Sequence, residues 1–208
     1  MKCFLLLPTL LAMAGIGSCL ADDAGTPAHY ATFTINGNQT IQLPVTDNGP
    51  APAQSGDVTM VVAGPLFGVS KTRKGESDVV WAFALACPQT AVYQKVTVEN
   101  VSGSAPQLVV AVNNPKPELV NANGFNGFLV RAHSGATPIN PQTEPWLYTD
   151  GNTTLVFRVT LVTDKGASIV LYQPTLYGAA QKKQIVAQVQ QVANGAVSAP
   201  APSARPAP

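Results

Sequence analysis

The chain has 208 residues, 46% of them apolar and only 11% charged, with a formal net charge of +1 at pH 7. That length fits one domain with tails, and the apolar content excludes intrinsic disorder for most of it. A net charge so near zero excludes a general nucleic-acid binder, which needs a concentrated basic surface to displace counterions.

Met1-Lys2 supplies one positive charge, residues 3–17 are uncharged and mostly apolar, and polar residues begin at Asp22. This is the order of an export signal, and its apolar run is shorter than the roughly 20 residues a membrane span needs. Residues 1–21 are therefore expected to be a signal peptide and residues 22–29 a linker. Two cleavage readings stand side by side. Cys19-Leu20-Ala21 has small residues at both ends, which places ordinary processing after Ala21. The stretch Ile16-Gly17-Ser18-Cys19 resembles the lipobox of bacterial lipoproteins, and that resemblance implies acylation of Cys19 and a membrane tether. Under either reading Cys87 is the one thiol left in the mature chain. It closes an apolar run, so burial is expected.

Strand patterns follow in chain order. Residues 31–35 and 39–45 flank Asn36-Gly37, a dipeptide suited to the positive φ angles of a two-residue hairpin turn. Residues 57–63 read as a strand. Val79, Trp81, Phe83, Leu85 and Cys87 alternate with Val80, Ala82, Ala84 and Ala86. Large residues on one side and small ones on the other point to a strand buried on both faces, its small side closely covered. Val92, Gln94, Val96 and Val98 share a face, residues 100–106 form a turn, and residues 108–112 resume as a strand. The stretch from Val96 through Asn100 to Pro106 resembles the strand–turn–strand of bacterial immunoglobulin-like domains. Residues 128–133 form a further strand. Between residues 153 and 163, Leu155, Phe157, Val159 and Leu161 fall on one face, as in a half-buried antiparallel strand. Asp164-Lys165-Gly166 breaks the run and residues 168–173 resume it, which predicts a hairpin.

About nine strands bounded by Gly, Pro or Asn define an all-β domain over residues 30–178. The expected architecture is an antiparallel β-sandwich of immunoglobulin-like type, with a closed β-barrel as the alternative. Residues 179–195 change character. Ile185, Val189 and Val192 recur at helical spacing, and Asn194-Gly195 supplies a stop, so one amphipathic helix is expected. Residues 196–208 form a Pro/Ala-rich tail expected to be disordered. Residues 46–56 and 134–152 read as long loops, the second carrying Trp146 and Tyr148.

Motifs that carry chemistry are scarce. There is no phosphate-cradling Gly-rich loop, no HExxH, no CxxC and no GxSxG. Neither a cofactor nor a metal site is expected. Three functional expectations follow. The first is an exported, non-catalytic contact protein of a bacterial cell envelope or surface, periplasmic, outer-membrane-anchored or secreted. It would meet a protein partner or itself through a sheet edge or through Ile185, Val189 and Val192. The second is a carbohydrate-binding module in which Trp146 and Tyr148, two apart on an extended segment, form one stacking platform for a glycan. The third and weakest is a hydrolase using Glu144, Asp150 or His133.

Overall fold

In the computed structural model, residues 29–47, 49–69, 77–120, 124–133 and 139–194 are described. The expected export signal with Cys19, the tail over 196–208, and the side chain of His133 lie outside the described residues. The strands are β1 (His29–Ile35), β2 (Gln39–Thr46), β3 (Gly49–Pro50), β4 (Ala53–Ser55), β5 (Val58–Val69) and β6 (Ser77–Pro88). They continue with β7 (Tyr93–Asn100), β8 (Gln107–Asn113), β9 (Leu119–Val120), β10 (Phe125–His133), β11 (Thr153–Thr163) and β12 (Ser168–Tyr177). Two helices are present among the described residues, α1 (Pro145–Tyr148) and α2 (Ala179–Ala193).

Side-chain alternation with period two decides which face of each strand is buried. On β11, Leu155, Phe157, Val159 and Leu161 are all at most 3% exposed and point into the main core. On β6, Trp81, Phe83, Leu85 and Cys87 do the same from the opposite side. The two rows belong to different sheets. A front sheet runs β4-β5-β6-β10-β9 and a back sheet runs β12-β11-β7-β8, with antiparallel pairing throughout. The fold is sandwich-like and mostly β. Phe157 meets Phe83 edge-on at 5.2 Å and Trp81 at 5.4 Å, which locks the sheets together at mid-core. A third sheet, β1-β2-β3, lies on the outer side of the back sheet. There Ile35 and Leu43 bury against Val101 and Val156, the latter on the opposite face of β11 from Leu155 and Phe157.

The structure departs from the sequence expectation in several places. Among the described residues no sheet closes on itself, so the barrel alternative falls. The expected loop over residues 46–56 contains the short strands β3 and β4. The expected loop over residues 134–152 contains α1. The first hairpin pairs Ile35 with Gln39, leaving a three-residue turn instead of two; Asn36 and Gly37 both adopt positive φ, 49° and 82°. A Cβ on Gly37 would also come within 3.3 Å of the Ser104 backbone. β12 runs on to Tyr177 through Pro174, which an edge strand tolerates because its outward N–H needs no partner.

The face expected from Val92, Gln94, Val96 and Val98 breaks at one point. Val162 pairs with Lys95 but Thr163 with Tyr93, so Gln94 is an extra residue on β7. This bulge turns Tyr93 into the core and leaves Val92 60% exposed. The small side of β6 is closely covered only at Val80, which is 2% exposed; Ala82, Ala84 and Ala86 on the same face are half-buried.

Cys87 is free and fully buried, and its thiol hydrogen-bonds Tyr93. Burial pushes the thiol from its ordinary 9.0 up to about 11, and the bond to Tyr93 only partly offsets this. Burial, with Cys87 alongside, pushes the Tyr93 hydroxyl up as well. The folded state thus keeps protons that the unfolded chain releases above pH 9. Stability from these groups is complete below the unfolded thiol value and is lost as pH rises through the folded one. The urea midpoint should therefore stay level from about pH 7 to 8.5 and fall steadily between 9 and 11. A level midpoint up to pH 11 would contradict the buried, protonated pair.

Candidate functional site

Among the described residues, Glu144, Trp146, Tyr148 and Ile185, which the sequence singles out for function, lie at one end of the sandwich, where β11 begins, β12 ends, and α1 meets α2. Asn140 shapes the entry to α1: its Oδ1 accepts hydrogen bonds from the Gln142 and Thr143 amides at 2.8 and 3.0 Å. Pro145 follows in the first turn, where its fixed φ fits and its missing N–H costs nothing. The segment is thus helical, not extended. Residues two apart on a helix point in nearly opposite directions, so Trp146 and Tyr148 do not share a face.

Trp146 turns inward. Its ring sits 4.9 Å from that of Tyr177 and 6.0 Å from that of Trp81, and it is only 9% exposed. Its Nε1 donates to Glu144 Oε2 at 2.6 Å, which places that carboxylate in a buried position too. Trp81 Nε1 donates to the Tyr177 hydroxyl at 2.7 Å, a bond from the front sheet to the back sheet. Burial raises the Tyr177 hydroxyl pKa, keeping it protonated. Tyr148 is half-buried and its hydroxyl lies 3.4 Å from the Ile139 carbonyl. With Trp146 inside and Tyr148 turned elsewhere, the two rings form no stacking platform.

α2 closes the same end. Its first amide has no cap within its own segment; Asn152 Oδ1 accepts the Ala179 N–H at 3.2 Å instead. The helix lays Lys182, Ile185, Val189 and Val192 against the protein, a stripe at helical spacing. Ile185, Val189 and Val192 are 5%, 7% and 1% exposed, and the first two belong to the main core. The stripe expected to meet a partner is seated on the chain's own sandwich.

Lys182 was not among the sequence candidates. The residue is 2% exposed, and no carboxylate is among its ammonium's bonds. The ammonium is held by oxygens: Thr153 Oγ1 at 2.7 Å, the Thr149 carbonyl at 2.8 Å, Thr149 Oγ1 at 2.9 Å and the Trp146 carbonyl at 3.4 Å. The two carbonyls lie at the end of α1, where carbonyls lack partners within the helix; that of Trp146 also accepts from the Thr149 hydroxyl at 2.9 Å. The available signal was a charged residue three positions before Ile185 on an otherwise apolar stripe.

The hydrolase residues do not assemble in what is described. Glu144 faces the Trp146 indole, and Asp150 lies exposed just past α1. Among the described residues, no three His, Cys, Asp or Glu side chains group as metal ligands would.

What remains on the surface is the strand edges. β4 and β9, at the ends of the front sheet, have three and two residues. The β12 edge is partly covered by β3 and β4 around Gln173, whose side chain accepts from the Ala53 amide at 2.9 Å and donates to the Ala51 carbonyl at 3.0 Å. β8, at the other end of the back sheet, pairs only with β7 among the described residues. Its sequence is QLVVAVN, with Leu108 61% exposed and Ala111 exposed. Val110 and Val112 reach the core from its inner side. Searches of protein families, curated proteins and solved structures find no match to this chain.

Lys182→Met keeps the length of the side chain and removes the charge and its four hydrogen bonds; the Thr149 carbonyl loses its ammonium donor, while the Thr149 hydroxyl keeps its bonds to the Trp146 carbonyl and the Thr153 hydroxyl. It should destabilise the domain by about 2–4 kcal/mol, lowering the melting temperature by about 5–15 °C. A melting temperature within a degree of the native one would show that the ammonium is dispensable.

Proposed function

We propose that this chain is an exported, non-catalytic β-sandwich protein with a structural or protein-interaction role in the cell envelope or at the cell surface. Its contact surface is the β8 edge. The finer fold reading, an immunoglobulin-like sandwich, belongs to the same proposal and draws on two packed antiparallel sheets around one core.

The observation that carries the reading is the β8 strand, uncharged and paired only with β7 among the described residues. An edge strand presents a row of unpaired N–H and C=O groups, and proteins that leave an edge idle usually blunt it with charge, proline, shortness or a bulge. The other ends of the two sandwich sheets are short or partly covered, whereas β8 is seven residues long, carries no charge and, past a bulge at Val109, keeps a regular edge from Val110 to Asn113. An extended segment added there would continue the back sheet by backbone hydrogen bonding. The glycan reading has less support, since Trp146 spends its ring on Trp81 and Tyr177. The export reading rests on the order of charge, apolar run and small residues in residues 1–21.

Two measurements test this. The intact mass of the protein from its native host should correspond to a chain beginning at acylated Cys19 or at Asp22; a chain retaining Met1 would overturn export. A photo-crosslinking residue placed at Leu108 in the host should give one discrete protein adduct, while the same residue at Val170, exposed on β12, should not. No adduct at Leu108, or equal adducts at both positions, would overturn the β8 contact.

A further inference from the structure

We infer that the strand received by β8 is the β8 strand of a second copy of this chain, paired antiparallel across a two-fold axis. This rests on the β8 contact proposed above. The result would be one continuous sheet of eight strands, β12-β11-β7-β8 from each copy.

Electrostatics favours the chain's own copy as occupant. A symmetric contact sets the strand against itself, with residue i facing residue j and j facing i, so a net charge on the strand would meet the same net charge on its twin. No charged residue occurs between Glu99 and Lys116, a stretch that contains the whole of β8 with both its flanks. The nearest back-sheet charges, Lys95 and Glu99, lie one strand further in on β7. The net charge of +1 sets up almost no repulsion as two copies approach. A partner chosen by charge would find nothing on this strand to recognise.

The geometry also sets the strength. Glu99 pairs with Leu108 but Val98 with Val110, so Val109 is a bulge and the regular edge is the part from Val110 to Asn113. The bulge turns Leu108 outward, where it is 61% exposed and available to cover the twin strand. The whole seven-residue strand is about 23 Å long and its regular part about 13 Å, so the strip lies at or below the lower end of specific interface sizes. The dimer should be weak and concentration-dependent, with a dissociation constant on the order of 10–500 μM. β1 is the other long edge, but it carries His29, Thr32 and Thr34, and pairing it with β8 would build open chains of copies, not a closed dimer.

The test is sedimentation equilibrium of the full mature protein, from about 5 μM to 1 mM, on the native chain and two double variants. Leu108→Lys with Ala111→Lys, and Leu108→Glu with Ala111→Glu, change only exposed side chains; circular dichroism melts confirm that each folds. The native chain should move from monomer to dimer over this range. Each variant alone should weaken association at least about tenfold, and an equimolar mixture of the two should restore it, because opposite charges then face one another across the axis. A native chain that stays monomeric at 1 mM overturns the inference, as does a dimer that ignores both variants or species that grow beyond two copies. A Leu108 crosslink in the host to a different protein overturns the second copy as occupant while leaving the β8 contact standing. No crosslink at all overturns both.

Discussion

Trp81 is where both sheets and the helical cap meet, and the rest of the molecule is arranged around satisfying it. Its ring packs on Phe157 of the back sheet and on Trp146 of α1, and its N–H bonds the Tyr177 hydroxyl. A buried indole requires both apolar contact and an acceptor. Tyr177 can supply the acceptor only if β12 runs to its full length, past Pro174. The rings stay dry only if α1 and α2 close the end, and that closure brings the Lys182 ammonium inside. The ammonium in turn needs the oxygens of Thr149 and Thr153 and the carbonyl of Trp146. Each polar group in this chain is tolerated because the next one answers it.

That closure has a consequence for function. The aromatic residues and the amphipathic helix, which look most like binding equipment, are consumed in holding the sandwich shut. Phe157 and Phe83 fill the centre of the core, and the buried Cys87 is kept protonated. The contact proposed above therefore rests on backbone groups, and among the described residues β8 is where the back sheet leaves them open. The same logic gives that proposed contact its character: uncharged, short, and dependent on concentration.

Much of the architecture was legible before any tertiary contact was known. The faces of β11 and β6 follow from alternation over consecutive residues, and the α2 stripe follows from helical spacing, because both patterns are set by local backbone geometry. The turn at Asn36-Gly37 was legible for the same reason, although its length was not. The misread face of β7 shows the limit. A single extra residue, Gln94, inverts the sense of every position before it, and nothing in the run of residues marks it.

By itself, then, the sequence determined that this is a chain of short strands with one terminal helix, and which side of most of them is apolar. Only the tertiary structure decided where those apolar sides go. Whether Trp146 faces water or Tyr177, whether α2 is a docking stripe or a lid, and which edge of a sheet stays open depend on pairings between distant segments. β6 with β10, and Gln173 with residues 51 and 53, are such pairings. A pattern of period two fixes orientation within a strand, but strand order is set by the global competition to bury those faces, which no local stretch encodes.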